Sequence, residues 1–133
     1  ALAAVPEAQL EVIECDALTV LQGRDVGEEI ARRDAARRPD AVFCANDLLA
    51  VGVLQGAAIL GSIRIPDDIA LVGYDDIDFA QATVVPLSSV RQPAWDIGAA
   101  AIDALFESLD NPAALPRHVR FRPELIVRAS SSA

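Results

Sequence analysis

The chain has 133 residues, 53% of them hydrophobic and 23% charged, which supplies one compact core and excludes disorder as the main state. Twenty acidic residues against eleven basic ones give a net charge of -9, the wrong sign for a surface that must neutralise phosphates, so the chain alone is not expected to bind DNA. All eleven bases are arginine and methionine is absent; we expect an excised or processed piece of a longer product, with no apolar run near the roughly 20 residues of a membrane span.

Taken in order, Glu11 to Cys15 is short and rich in β-branched residues and reads as a strand, followed by a charged helix to about Arg38. Glu28 with Arg32, Glu29 with Arg33 and Asp34 with Arg38 stand at i,i+4 in that stretch, the acid-first order that supports a solvated helix face. Pro39-Asp40 ends it. Ala41 to Ala45 and Ile69 to Gly73 are apolar at every position, as expected of parallel strands covered on both faces. Between them a helix runs from about Asp47 to Leu60 and closes at Gly61, making a βαβ unit. A further strand is expected near Leu87 to Val90. Pro93 then opens a helix with an apolar stripe of Ile97, Ala101, Leu105 and Leu109 beside Gly98, Ile102 and Phe106. After Asn111-Pro112 the last segment alternates, with Val119, Phe121, Leu125 and Val127 on one face, and Pro123 favours an edge strand. The Ser130 to Ser132 tail looks low in complexity. The class is α/β with a parallel sheet.

In an open parallel sheet, ligands bind beyond the carboxyl ends of the strands, and the residues there are consistently polar: Asp16, Asn46-Asp47, Tyr74-Asp75-Asp76 and Arg91-Gln92. Amide, carboxylate and guanidinium groups on one edge suit hydroxyls or a purine-like ring. Each has a plainer role too. One of Asn46 and Asp47 caps the following helix and the other is left for a ligand; Asp75 and Asp76 either shape a turn or face a ligand; Gln92 is a loop residue or a contact. The helix from Leu48 to Leu60 has Gln55 as its one polar side chain, so its outer face must be covered as well. Gly52, Gly56, Ala57 and Ala58 would admit another backbone closely, from which we infer a helix-mediated homodimer contact, the alternative being cover by a part of the same chain outside this sequence.

Catalysis has little support. The sequence has no G-x-G-x-x-G after a strand, no Walker A loop and no G-x-S-x-G elbow, and its cysteine and histidine spacings fit no zinc site. We expect a protein that is not an enzyme and uses no cofactor and no metal. Cys15 and Cys44 lie in or beside apolar runs and are expected to be reduced thiols in the cytoplasm.

Four ordered motifs resemble the C-terminal part of bacterial transcriptional regulators of the LacI/GalR family: Arg38-Pro-Asp-Ala-Val-Phe-Cys-Ala-Asn-Asp-Leu-Leu-Ala-Val-Gly52, Ile65-Pro-Asp-Asp-Ile-Ala-Leu-Val-Gly-Tyr-Asp-Asp76, Pro86-Leu-Ser-Ser-Val-Arg-Gln-Pro93 and Pro123-Glu-Leu-Ile-Val-Arg128. They cover most of the chain from about Leu18 onward. The resemblance implies a two-lobed, periplasmic-binding-protein-like type I fold, of which residues 1–133 would be mostly the C-terminal lobe, a partial effector-binding and dimerisation domain. The helix-turn-helix and first lobe would lie outside this sequence, and operator DNA would be a partner only through them. It further implies a sugar or nucleoside-like effector held between the lobes by Asn46, Asp75 and Gln92, with Leu18 where many relatives place a stacking aromatic. A homodimer contact is implied around Val51 to Ile59, including Gly52 and Gln55, together with Thr83. The helix after Pro93 packs on the first lobe in such relatives. The competing reading is a secreted solute-binding protein of an importer, which shares the lobe fold.

Overall fold

The computed structural model describes residues 5, 7–113, 115 and 117–132. Its ordered elements are α1 (Val20–Arg32), β1 (Ala41–Phe43), α2 (Asp47–Leu54) continuing as a π-helical stretch over Gln55–Leu60, β2 (Ala70–Tyr74), β3 (Ser88–Arg91), α3 (Ala94–Asp110) and β4 (Glu124–Ile126). Short 3₁₀ turns stand at Ala35–Arg37 and Asp78–Ala82. The sheet order is β1-β2-β3-β4. β1, β2 and β3 are parallel, with Phe43 opposite Val72 and Tyr74 opposite Val90. β4 returns antiparallel to β3 on the outer side, the edge position that Pro123 favours.

α1 starts at Thr19, whose hydroxyl accepts from the Gln22 amide and so satisfies one of the free first-turn N–H groups. The Glu28–Arg32 and Glu29–Arg33 pairs form at 2.9 Å. Asp34–Arg38 does not, because the helix ends at Arg32 and the two residues fall in a different element. Arg38 instead donates to the carbonyls of Ala31 (2.8 Å) and Arg33 (3.1 Å), closing the carbonyl end of the helix.

The apolar surplus of α2 is explained within the chain. Its residues from Leu49 to Leu54 are buried because β2 lies against one side and α1 against the other. The two helices touch backbone to backbone through glycine. A Cβ on Gly52 would stand 2.1 Å from the Val20 carbonyl oxygen, and one on Gly23 at 2.1 Å from that of Leu49. The close approach expected of a second copy is therefore made by α1, and Val51 and Gly52, expected at a dimer interface, are buried under it. Ile59 is exposed, while Gln55 and Thr83 are partly exposed. The core forms two clusters: Leu49, Val53, Leu54, Leu71 and Leu87 with Cys44, and Ile30 with Ala57, Ile63 and Ile69.

Four further expectations change. Glu11 to Cys15 joins no sheet. Residues 11–14 are exposed and Cys15 is half-buried against the core; the Glu11 carboxylate is taken by the Arg33 guanidinium through two hydrogen bonds of 2.7 Å, and β1 is left as one edge of the sheet, opposite β4, among the described residues. The sheet is covered on one face only: Leu71 and Gly73 are buried, whereas Ala70, Val72 and Tyr74 are half-buried and Phe43 is 64% exposed, meeting the Tyr74 ring edge-on at 6.4 Å. The element that could have covered that face, α3, buries none of its residues, and its stripe of Ile97, Leu105 and Leu109 is exposed. Pro93 stands one position before that helix, as its N-cap. Ser130, by contrast, is fully buried. Its hydroxyl donates to the Leu71 carbonyl (2.6 Å) and accepts from the Ser88 amide (2.8 Å), and its carbonyl accepts from the Leu71 amide. The tail is a polar plug at the amino ends of β2 and β3.

The glycine seam predicts that Gly52→Ala destabilises the chain by about 2–3 kcal/mol, because backbone must move to admit the methyl. Gly98→Ala, with nothing within 4 Å of its Cβ, should be neutral or mildly stabilising through helix propensity. Urea unfolding of the two variants separates these outcomes; equal losses would contradict the seam.

Candidate functional site

Because β1, β2 and β3 are parallel and adjacent, the residues leaving them reach one edge. A fully buried carboxyl group knits this edge together. Asp47, in the first turn of α2, accepts from the Ser89 hydroxyl of β3 (2.6 Å) and from the Ile77 amide beyond β2 (2.9 Å). Ser89 Oγ accepts in turn from the Asp76 amide (3.0 Å). Gly73 is required beneath it, since a Cβ there would stand 2.1 Å from Asp47 Oδ1. Of the two candidates for the α2 cap, Asn46 does the capping, its Oδ1 accepting from the Leu49 amide (2.9 Å). Asp47 is not thereby left for a ligand, because burial and two internal hydrogen bonds use it up.

The four expected effector residues fall into two hydrogen-bonded pairs on this rim. Asn46 Nδ2 donates to the Leu18 carbonyl (3.2 Å), and Gln92 Nε2 donates to Asp75 Oδ1 (2.7 Å). The Leu18 and Asp75 side chains are exposed and those of Asn46 and Gln92 half-buried. Each polar group keeps capacity: Asn46 and Gln92 have a second amide N–H, and Asp75 has a second carboxylate oxygen. The two pairs thus offer both donors and acceptors, a set suited to hydroxyl groups. Two open clefts along α1, one beside Glu11, Arg33 and Arg37 and one beside Glu28, Gly56 and Leu60, contain none of the four.

The loop that presents Asp75 is unusual in its backbone. Asp75 has φ 103° and Asp76 φ 54°, a left-handed conformation that acidic residues adopt more readily than most but that still costs energy. Sequence reading named Asp76 only as a turn former or a ligand group. Its carboxylate, 3% exposed, accepts a hydrogen bond from Arg91 Nε of β3 (2.7 Å) and forms an ion pair with Arg128 (2.7 Å) just beyond β4, where the buried Oδ1 has no hydrogen bond of good geometry. Burial alone would raise its pKa, but the two arginines outweigh burial and hold the carboxyl below the usual carboxylate range. Two arginines placed opposite a strand-end acid were the available signal. Burial pushes the Cys44 thiol up to about 12, so it is protonated at neutral pH, and Cys15 and Cys44 are both free thiols. No group of three or more metal-ligating side chains occurs among the described residues.

Residues 3–131 match the periplasmic binding protein-like domain family, and the chain belongs to that family. Within it, the LacI/GalR likeness carried by the sequence motifs is borne out by relatives and solved structures alike. The ribose operon repressor of Escherichia coli K12 is 39% identical over 94 residues, 71% of this chain and 28% of that protein. A LacI-family regulatory protein from Chloroflexus aggregans superposes with TM-score 0.78 at 32% identity, over 98% of this chain and 48% of that one. The transcriptional regulator CelR in complex with cellobiose gives TM-score 0.84 at 30% identity, over 98% and 39%. The chain therefore spans about 28% of the length of the ribose operon repressor it matches. These relatives are named as regulators, not as enzymes.

Two outcomes follow from the site. Asp47→Ala leaves the Ile77 amide and the Ser89 hydroxyl without their acceptor and should destabilise by about 3 kcal/mol in urea unfolding. The lowered pKa of Asp76 means that its contribution to stability is complete above the ordinary carboxylate pKa and is lost as pH falls through the lower folded value. Unfolding free energy measured from pH 6 down to 3 should accordingly fall less steeply at the acid end in Asp76→Asn than in the parent; parallel curves would show that Asp76 is not the group responsible.

Proposed function

We propose that this chain is the greater part of the effector-binding lobe of a LacI-type transcription regulator, sensing a sugar or nucleoside-like molecule and catalysing no reaction. What supports this reading is that Asn46, Asp75 and Gln92 follow the same ends of three adjacent parallel strands, Gln92 donating to Asp75, with hydrogen-bonding capacity unspent. Relatives named for ribose and cellobiose support a hydroxyl-rich effector. In the whole protein a first lobe faces this rim and closes over the effector, and a helix-turn-helix reads operator DNA. Effector binding favours one arrangement of the lobes and thereby shifts the balance between DNA-competent and incompetent forms. The acidic chain is consistent with DNA contact being made elsewhere in the protein. The regulator acts in the cytoplasm as a homodimer, with exposed Ile59 rather than buried Val51 and Gly52 available to a partner copy.

The test is a thermal-shift screen of the full-length protein against D-ribose, other pentoses, disaccharides and nucleosides. A true effector at about a hundred times its Kd stabilises by about 2.7 kcal/mol, a rise of several degrees. Asp75→Ala should abolish that rise while leaving the ligand-free melting temperature within a few degrees of the parent. A rise that persists in Asp75→Ala would remove Asp75 from the site, and no response to any compound would overturn the effector class.

A further inference from the structure

We propose that Asp76 is a positioning residue which, clasped by Arg91 and Arg128, holds Asp75 in its presenting conformation and ties it to the two chain crossings that lead to and from α3. This rests on the reading of Asp75 as an effector carboxylate. Two consecutive non-glycine residues at positive φ, Asp75 and Asp76, do not hold that shape by local preference, and the surrounding structure must impose it.

The restraints come from distinct elements. The Asp75 amide donates to the Val90 carbonyl (2.9 Å) and the Asp76 amide to Ser89 Oγ (3.0 Å), both on β3. The Ile77 amide is held by Asp47. The Asp76 side chain adds the restraint that reaches farthest, since Arg91 ends β3 immediately before the chain departs into α3, and Arg128 follows β4 after the chain has returned. Arg128 is itself fixed by donating to the Leu87 carbonyl (2.7 Å) and is 17% exposed. Glu124 at the start of β4 lies 4.0 Å from Arg91 and shares that guanidinium with Asp76, so Arg91 meets acids from both the β2 loop and the returning strand.

α3 buries none of its residues, and β3 and β4 are the covalent routes by which its position is felt in the sheet. A change in the angle between those strands alters the separation of Arg91 and Arg128, and Asp76 between them passes the change to its neighbour Asp75. Arg91, half exposed, is the softer of the two arms. Arg128 is the fixed one.

The experiment is amide hydrogen exchange on the full chain without any effector, so that its result is separate from the effector titration that tests Asp75. Asp76→Asn keeps the side-chain shape and tolerates positive φ but removes the charge. It should raise exchange at residues 75–77 by about 10-fold or more while Val53 and Leu54 of α2 stay protected. Arg91→Gln, at a half-exposed position where folding is secure, should raise the same amides by a smaller factor. The double variant should exceed Asp76→Asn by no more than about twofold, because both act through one clasp. Unchanged exchange at 75–77, a uniform rise across the chain, or additive effects in the double variant would each overturn the proposal; should Asp76→Asn fail to fold, Arg91→Gln decides by whether its rise is confined to residues 75–77.

Discussion

The Asp47 carboxyl is where this structure is held to one geometry. It is withdrawn from water at the start of α2, and burial of such a group is tolerable only because a hydroxyl and a backbone amide meet it. Those partners come from β3 and from the loop after β2, so one side chain fixes the exits of three neighbouring elements. The requirement propagates: Gly73 must lack a side chain to leave room, and Ser89 must offer a hydroxyl that donates to Asp47 and accepts from Asp76. The rim that carries Asn46, Asp75 and Gln92 has its shape because of groups that lie beneath it.

The second constraint is steric. α1 and α2 meet along glycines at distances where any Cβ would strike a carbonyl oxygen, which brings α1 close enough to cover the otherwise excessive apolar surface of α2. The same small residues can be read as an invitation to a second copy. The two readings differ only in which backbone fills the groove, and composition is silent on that. With α1 in the groove, a partner copy must use what remains outside it.

The third feature is asymmetry. One face of the sheet is packed and the other shows Phe43 and half of Tyr74, while α3 carries an apolar stripe that is exposed. Surfaces of that kind on a small acidic chain mark places where more protein packs. This agrees with a chain that spans less than half of the solved regulators it superposes on, and the open rim and the α3 helix leave the sheet at the same end of the crossing strands, Gln92 standing between β3 and α3.

Much of the fold was legible in the residues themselves. The all-apolar runs at Ala41 and Ile69, the helix between them, the strand before Arg91 and the Pro123 edge strand follow from periodicity and from turn chemistry, which act over a few neighbours. The polar residues at strand ends could be named for the same reason, since parallel strands must deliver their ends to one edge. Local signals failed where a distant partner decided the outcome. Glu11 to Cys15 has the composition of a strand, yet it joins no sheet and Glu11 pairs with Arg33 instead; Asp34 and Arg38 have helical spacing, yet the helix ends before them; Ser130 looks like tail, yet it fills a gap between β2 and β3. The sequence by itself determined which residues are apolar, where turns fall and which acids and amides stand at the strand ends. Only the tertiary structure decided which of those polar groups are spent internally, as Asp47 and Asp76 are, and which stay open, as Asp75 does, because hydrogen bonds between residues 15 to 42 positions apart depend on chain packing that no local pattern encodes.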